Sequence, residues 1–252
     1  MPSGRDALLF RARQLFYRAG GPWWRVRLAE RLGSRRWSKP ALDGMDDKLA
    51  RHLPERGVFV EAGAHDGFTQ SNTYFLERHR GWSGVLVEAI PELARRARGR
   101  RPGSRVFNCA LVADDYSGST VRLRFGDLMS IVADARGADE HAAQGASTAG
   151  ARVYEVNVPA RTLTSVLEEA GVGEIDLMVL DVEGQELQVL RGLDLDRFAP
   201  RLLLIEMLDM KSQRPSFNEF VGDRYRPLEE ITPYDLLYER VGPASPERSA
   251  SS

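Results

Sequence analysis

Residues 57–67 read GVFVEAGAHDG, a short apolar strand that runs into a glycine-rich turn. Glycines at 63 and 67 allow a tight strand-to-helix turn and let the backbone approach a ligand closely. Helical sequence follows over 71–80, and a second apolar strand follows at 84–88. This order of strand, turn, helix and strand predicts the first unit of a parallel sheet.

The rest of the sheet is predicted by three more apolar runs, at 106–112, 175–181 and 201–206. Helical sequence at 91–98 and 184–191 separates some of these runs. Almost continuously apolar strands that alternate with helices indicate a parallel sheet covered on both faces. A ligand site is then expected at the carboxyl ends of the strands.

One long segment interrupts this alternation. Residues 121–125 and 154–158 alternate in polarity, so we predict an inserted pair of strands. Residues 133–150 between them are almost all small or polar, which predicts a mobile lid. Its one histidine, His141, would reach a bound substrate when the lid closes and would act there as a general base.

The two ends of the chain differ from its middle. Residues 1–50 are predicted to be a basic helical extension, and residues 51–241 the main domain. Residues 1–40 hold ten Arg and Lys against two acids, which gives about +8 there and about −9 in the remainder. This extension is expected either to pack on the domain or a second subunit, or to face substrate or a membrane surface. The tail at 242–252 is predicted to be disordered.

Composition excludes several classes of protein. A lone Cys109 permits no internal disulfide, and four histidines do not form the spacing of a structural zinc site. No apolar run reaches the roughly 20 residues that span a bilayer, and no signal peptide is evident. We therefore expect a cytoplasmic protein without a transmembrane segment. Nucleic acid is not an expected substrate, because no base-flipping or stacking motif accompanies the arginines.

Two acidic side chains at strand ends indicate the ligand. Glu61, Gly63 and Gly67 form an acidic-x-Gly-x-x-x-Gly spacing, whereas pyrophosphate-binding loops use G-x-G-x-x-G. A carboxylate there would repel a pyrophosphate but suits a positively charged ligand such as S-adenosylmethionine. Glu88 ends the second strand about 20 residues later, where an acid commonly accepts hydrogen bonds from ribose hydroxyls.

A third acidic group follows the fourth predicted strand. Asp181, Glu183 and Glu186 lie at the exit of a central strand, on the side of the sheet edge where the first turn lies. A hydroxyl group that accepts a methyl group reacts faster when a base or a cation lies within hydrogen-bond reach. Asp181 is the leading candidate for that role and Glu183 the second, although Glu183 and Glu186 would also stabilise a helix N-terminus.

Four blocks of the sequence together resemble the FkbM-type methyltransferases. They are VFVEAGAHDG, then SNTYFLE with GWSGVLVEA, then ARTLTSVLEEAGVGEIDLMVLDVEGQELQVLRG, and LLLIEM. The resemblance covers about 57–241 and implies a class I methyltransferase fold with a seven-stranded sheet. It also implies S-adenosylmethionine as donor and O-methylation of sugars or sugar-decorated natural products.

The resemblance also implies roles for individual residues. Glu61, Gly63 and Gly67 would face the methionine end of the donor, with Ser71 nearby. Glu88 would hold the ribose, Asn108 to Ala110 would flank the adenine, and Asp181 would lie beside the transferring methyl. The stretch MLDMKSQRPSFNEF after Glu206 departs from the family pattern, in which a clearer helix is usual.

A metal is a further expectation from related sugar methyltransferases, some of which hold a divalent cation on acids that end the fourth and fifth strands. Those positions are Asp181 and Glu206 here, with Asp209 close behind. Carboxylates with waters and sugar hydroxyls would suit Mg²⁺. A homodimer is compatible with the helical extension.

Two other functions remain open from the sequence. One is a nucleotide-sugar or nicotinamide oxidoreductase with the same sheet, which Glu61 and the missing G-x-G-x-x-G disfavour. The other is a catalytically silent module that keeps the fold, which the presence of Glu61, Glu88 and Asp181 together disfavours. We expect a sugar O-methyltransferase.

Overall fold

The computed structural model describes residues 23–126, 129–132 and 154–242. Strands in this part of the chain form two sheets. In chain order they are β1 (Val58–Ala62), β2 (Ser83–Val87), β3 (Ser104–Phe107), β4 (Ala110–Leu111), β5 (Thr120–Gly126), β6 (Met129–Val132), β7 (Tyr154–Arg161), β8 (Leu177–Leu180), β9 (Leu202–Glu206), β10 (Tyr225–Glu230) and β11 (Asp235–Arg240).

Helices connect most of these strands, and short 3₁₀ turns occur at Leu42–Gly44 and Gly222–Arg224. In chain order the α-helices are α1 (Trp23–Arg31), α2 (Met45–Ala50), α3 (Tyr74–Arg80), α4 (Pro91–Arg100), α5 (Leu163–Ala170), α6 (Glu186–Arg191), α7 (Leu195–Phe198) and α8 (Met210–Val221).

The larger sheet has seven strands in the order β10-β11-β9-β8-β1-β2-β3. Neighbours from β9 to β3 pair in parallel, and β11 is antiparallel to both β9 and β10. The central strands β1 and β8 are buried on both faces, as their apolar runs predict. This topology confirms the class I methyltransferase fold that the resemblance implies.

Helices cover both faces of the large sheet. Alternate side chains of β1 enter different clusters, with Val60 and Ala62 on one face and Phe59 on the other. The first face packs against α5, α6, α7 and α8, and the second against α2, α3 and α4. The strand period of two thus places apolar side chains in two separate cores.

The smaller sheet contains the inserted strands, in the order β4-β7-β5-β6. The two predicted inserted segments do pair, with Val121 opposite Val158. The predicted strand at 106–112 is wrong as one strand, because it divides between the two sheets as β3 and β4. Its backbone turns near Asn108, whose amide nitrogen donates to the carbonyls of Glu88 and Ala89 at 2.9 and 2.7 Å.

The end of the main domain holds elements that periodicity did not predict. The strands β10 and β11 complete the sheet and carry more polar side chains than the central strands. The stretch MLDMKSQRPSFNEF forms the helix α8 despite its departure from the family pattern. Asp209 caps this helix by accepting a hydrogen bond from the Lys211 amide, and Phe217 and Val221 bury its inner face.

The basic extension is helical in its described part, where α1 lies against the main domain. Val26 is buried with Phe68 and Tyr74, which follow the first glycine turn. The part of the predicted helical extension before residue 23 lies outside the described residues, as do 133–150 and 243–252. None of the described helices is long and apolar enough to cross a bilayer.

Candidate functional site

A cavity of about 530 Å³ opens at the carboxyl ends of β1, β2, β8 and β9. Its walls include Glu61, Glu88, Asp181 and Glu206 from those four strand ends. The smaller sheet supplies another part of the wall, with apolar side chains such as Leu123. The volume is typical of a pocket for a small molecule or a cofactor, and its place is the one predicted from the strand order.

Gly63 allows the turn after β1 to lie directly against the end of β8. Its φ is +85°, and a Cβ atom there would lie 1.7 Å from the carbonyl oxygen of Asp181. The amides of Gly63 and Ala64 both donate to the Val87 carbonyl at 3.0 Å. Only glycine fits this left-handed conformation and close approach, so Gly63 brings the ends of β1, β2 and β8 together around the cavity.

Gly67 has a structural position away from the cavity wall. Its φ is +77°, and a Cβ atom there would lie 2.9 Å from both Ala97 and Arg101. The resemblance implies that this glycine faces the donor; the structure places it against α4, and it is not among the residues that line the cavity. Its backbone carbonyl accepts a hydrogen bond from Arg101 at 3.2 Å.

The Glu61 carboxylate is buried at the cavity wall and organises the loop before α3. It accepts hydrogen bonds from the Ser71 hydroxyl at 3.0 Å, the Asn72 amide at 2.8 Å and the Thr73 hydroxyl at 2.5 Å. Ser71 also lines the cavity. Most of the acceptor sites of this carboxylate are therefore occupied by the protein itself.

Arg101, at the end of α4, is a buried residue that the sequence reasoning missed. Its side chain is 1% exposed and pairs with Glu77 at 2.8 Å and with Glu61 at 3.6 Å. It also donates to the hydroxyls of Ser71 and Thr73 at 3.1 and 2.9 Å. No feature of the sequence distinguishes Arg101, because it is one of several arginines in and directly after α4 and these arginines follow no periodic pattern.

Glu88 extends from the end of β2 into the cavity. Its two carboxylate oxygens accept hydrogen bonds from the backbone amides of His65 at 2.8 Å and Ile90 at 2.7 Å. Burial raises the pKa of this carboxyl to about 7. The remaining lone pairs face the cavity, where a diol or another neutral donor could bind.

The residues predicted to flank an adenine occupy two positions. Ala110 lines the cavity together with the buried Cys109. Asn108 does not line it and instead holds the end of β2 through its amide group. Burial raises the pKa of the Cys109 thiol to about 11, as expected of a small buried side chain rather than a nucleophile.

Asp181 and Glu206 form a pair of carboxyl groups at the ends of neighbouring strands β8 and β9. Burial, together with the adjacent Glu206, raises the pKa of Asp181 well above its ordinary value. Burial also raises the pKa of Glu206 to about 7, although its hydrogen bond with Asp181 opposes the shift. Two carboxyl groups this close to each other tend to share one proton, because the repulsion of like charges makes it unfavourable to ionise both.

Glu183 and Glu186 follow Asp181 but have different surroundings. Glu183 lines the cavity with a φ of +54°, which is uncommon for a residue with a side chain, and burial raises its pKa to about 8. Glu186 is buried and accepts hydrogen bonds from the amides of Val182 and Gly184, each at 3.0 Å. Glu186 thus stabilises the turn, while Glu183 is available to a ligand.

Asp181 and Glu206 do not belong to a metal site of three or more protein ligands within the part of the chain that the structure describes. No group of three or more His, Cys, Asp and Glu side chains in residues 23–126, 129–132 and 154–242 is arranged to hold an ion. Asp209, the predicted third ligand after Asp181 and Glu206, uses its carboxylate to cap α8 and to accept from Ser212 at 2.7 Å. His141 and the predicted lid lie outside the described residues.

Comparison of the sequence with models of known protein families gives a match that includes the residues of the cavity wall. The sequence model of the methyltransferase FkbM domain matches residues 61–223, which is more than half of the chain. The chain belongs to the FkbM methyltransferase family. The match begins at Glu61 and contains Glu88, Asp181 and Glu206, so this FkbM domain includes all four acids that line the cavity from strand ends.

Solved structures similar to the FkbM chain are distant in sequence. The methyltransferase FkbM from Methylobacillus flagellatus KT is 12% identical, with a TM-score of 0.47, over 93% of this chain and 59% of that one. The chain therefore spans about three fifths of that protein's length. TrmK of M. capricolum, solved with S-adenosylhomocysteine, is 7% identical with a TM-score of 0.42, over 79% of this chain and 69% of that one. No curated protein matches the sequence significantly.

Proposed function

We propose that this chain transfers a methyl group from S-adenosylmethionine to a hydroxyl oxygen of a sugar, an oligosaccharide or a glycosylated natural product. The observation that carries the proposal is the half-buried Asp181–Glu206 pair, which shares one cavity with the Gly63 turn and with Glu88. The pair supplies a base for a hydroxyl acceptor, and the other two features suit a nucleoside-containing donor. Family membership supplies the reaction class.

Donor binding is assigned to the first three strand ends. Glu88 would accept hydrogen bonds from the ribose hydroxyls, because its carboxylate ends β2 at the cavity wall. Gly63 lines the cavity beside Asp181, where its backbone would face the methionine end, and Glu61 with Ser71 provides negative and polar groups near it. Ala110 and the apolar side chains around it would contact the adenine.

The chemical step is assigned to the acids at β8 and β9. When bound, S-adenosylmethionine would supply a methyl group attached to a positively charged sulfur. After the transfer, that sulfur is part of a neutral thioether, which is the leaving group. The Asp181–Glu206 pair would take up the hydroxyl proton of the acceptor as its oxygen receives the methyl group and the carbon–sulfur bond of the donor is broken. A raised pKa makes these carboxylates stronger bases than ordinary ones. Glu183 would orient the acceptor, and no step is assigned to a metal.

Alignment of the reactants contributes more than proton transfer. Holding oxygen, methyl carbon and sulfur in line can lower a barrier by roughly 7–11 kcal/mol. The smaller sheet supports this role, because it lines the same cavity as the acids. The Tyr116 hydroxyl donates to the Thr120 carbonyl at 2.7 Å, which fixes its ring beside the cavity. An aromatic ring among polar side chains suits the apolar face of a sugar.

The donor assignment predicts a selective binding result. We expect S-adenosylhomocysteine to bind in isothermal titration calorimetry and NAD to give no heat of binding. If binding is confirmed, labelled methyl transfer onto a panel of mono- and oligosaccharides identifies the acceptor. NAD binding without S-adenosylhomocysteine binding would contradict the donor, whereas donor binding without transfer to any hydroxyl would indicate the silent module.

A second prediction concerns pH. Glu88 is ionised above a pKa of about 7 and accepts hydrogen bonds best in that form. As the pH falls from about 8 to about 6, its protonation should weaken binding of S-adenosylhomocysteine about tenfold. Glu88→Gln should bind weakly with little of this pH dependence. Glu92→Gln, a change at an exposed acid of α4, is the matched control and should behave as wild type. An unchanged pH profile in Glu88→Gln would remove Glu88 from the donor site.

A further inference from the structure

Helix α1 presents an apolar stripe to solvent. Trp24, Leu28 and Leu32 are 57%, 51% and 79% exposed, although they are among the largest apolar side chains of this segment. They are spaced by four residues, and the Leu32 amide still donates to the Leu28 carbonyl at 3.1 Å, which continues the helical pattern. The three side chains therefore lie on one side of the helix.

Positive charge accompanies this stripe. Arg25 and Arg31 are exposed on the helix, and Arg35 and Arg36 are exposed in the turn that follows. Between residues 23 and 38 the only acid is Glu30. The outward surface of α1, defined here as these four arginines with Trp24, Leu28 and Leu32, is thus both apolar and cationic.

The opposite side of α1 is fixed to the domain, which determines the direction of the outward surface. Glu30 is buried and accepts hydrogen bonds from Tyr74 at 3.0 Å, Arg78 at 2.9 Å and Ser38 at 2.8 Å. Val26 is buried beside it against Phe68 and Tyr74. Because the single acid and the buried valine share the inner side, the helix cannot turn its apolar stripe inward without losing these contacts.

We propose that the outward surface of α1 docks on an anionic lipid bilayer. A helix with large apolar side chains on one side and arginines beside them lies in the headgroup region of a membrane. Tryptophan favours that interface, and each arginine near an anionic surface adds attraction. The helix binds along the membrane plane and does not cross it.

Charge distinguishes this partner from two other occupants. A second copy of the chain that met this surface with its own α1 would bring the same arginines against one another. Residues 1–22 carry Arg5, Arg11, Arg13 and Arg18 against Asp6, so they too would add positive charge beside the stripe. An anionic lipid surface is the partner that both neutralises the arginines and covers the apolar side chains.

Vesicle cosedimentation of the full chain tests this proposal, which does not depend on the proposed methyl transfer. We expect binding to vesicles of phosphatidylcholine with phosphatidylglycerol, much weaker binding to phosphatidylcholine alone, and loss of binding in high salt. Combining Trp24→Ser, Leu28→Ser and Leu32→Ser should lower the partition coefficient at least about tenfold. The thermal unfolding of the variant should remain that of a folded protein, because the three side chains are exposed.

The matched control changes three other exposed apolar side chains, Leu228→Ser, Tyr234→Ser and Val241→Ser. It should bind vesicles as wild type does. The proposal is overturned if wild type fails to sediment with the anionic vesicles or binds both vesicle types equally. It is also overturned if the α1 variant binds as wild type does. Light scattering that shows a wild-type dimer and a monomeric α1 variant, without vesicle binding, would assign the surface to self-association instead.

Discussion

Replacing Asp181 by asparagine is expected to lower kcat by roughly 10²–10⁴-fold, because a positioned base typically contributes that much. Binding of S-adenosylhomocysteine should change little, since the substitution keeps the size of the side chain. Single-turnover transfer of a labelled methyl group, compared with calorimetric binding of the product, separates the two effects. Wild-type turnover in Asp181→Asn would move the proton acceptor to another group, of which His141 is the first candidate.

The same substitution should also stabilise the fold. Burial and Glu206 raise the pKa of Asp181, so the folded chain holds its proton more tightly than the unfolded chain does. The stability of the protein therefore falls as the pH rises above the unfolded pKa. Asparagine cannot ionise, so the free energy of unfolding is expected to rise by roughly 0.5–2 kcal/mol at alkaline pH and by less at acidic pH. Thermal denaturation at both pH values measures it.

Asp176→Asn is the matched control for Asp181→Asn. Asp176 lies just before β8, at the end away from the cavity, where its carboxylate accepts from the Val58 amide at 2.9 Å. Asparagine keeps an acceptor oxygen, so turnover should stay at the wild-type level. A loss of turnover in both variants would indicate that the strand, rather than the acid at its carboxyl end, is sensitive to substitution.

Arg101→Met should destabilise the protein by about 3–5 kcal/mol, which is typical when one member of a buried ion pair is removed. The change leaves Glu77 and Glu61 without their cation and leaves the Gly67 carbonyl without its donor. Urea denaturation measures the loss of stability. Where the variant remains folded, S-adenosylhomocysteine should bind more weakly, because Ser71 and Thr73 also lose a hydrogen bond that orders the loop.

Arg98→Met tests whether the effect belongs to position 101. Arg98 lies in the same helix and is exposed, with one hydrogen bond to the Val106 carbonyl at 3.3 Å. Its replacement should alter stability by no more than about 0.5 kcal/mol. Equal losses in the two variants would assign the effect to the helix as a whole. Wild-type stability in Arg101→Met would show that the hydrogen bonds and ion pairs of Arg101 make no net contribution to the free energy of unfolding.

The parts of the fold that sequence reasoning predicted are those with a strong local pattern. The strands β1, β2, β8 and β9 are short runs that are apolar apart from Ser83 at the start of β2 and the acids at their carboxyl ends, so their type and order followed directly. The acids Glu61, Glu88 and Asp181 were predicted to meet for the same reason, whereas the resemblance to related methyltransferases placed Glu206 beside Asp181. Parallel strands bring their carboxyl ends to one edge of a sheet, and all four line the cavity.

The remaining features depend on contacts between distant residues. Nothing in the run from 106 to 112 shows that Asn108 divides it, because the division depends on carbonyls at the end of β2. The role of Gly67 also depends on α4, against which it packs. The strands β10 and β11 carry charged side chains in the pattern of sheet edges and turns, so their sequence alone did not indicate strands of the main sheet.

The contact between Gly63 and the Asp181 carbonyl has a consequence for the order in which the protein folds. These residues lie in different halves of the chain, so the cavity is complete only after β8 has docked beside β1. Pairing of such distant strands is slow, because a long loop must close first. A nascent chain that ends before β8 has no complete cavity, and a ligand can stabilise only the finished domain. Donor present during synthesis would therefore protect the completed protein from unfolding without accelerating its first steps.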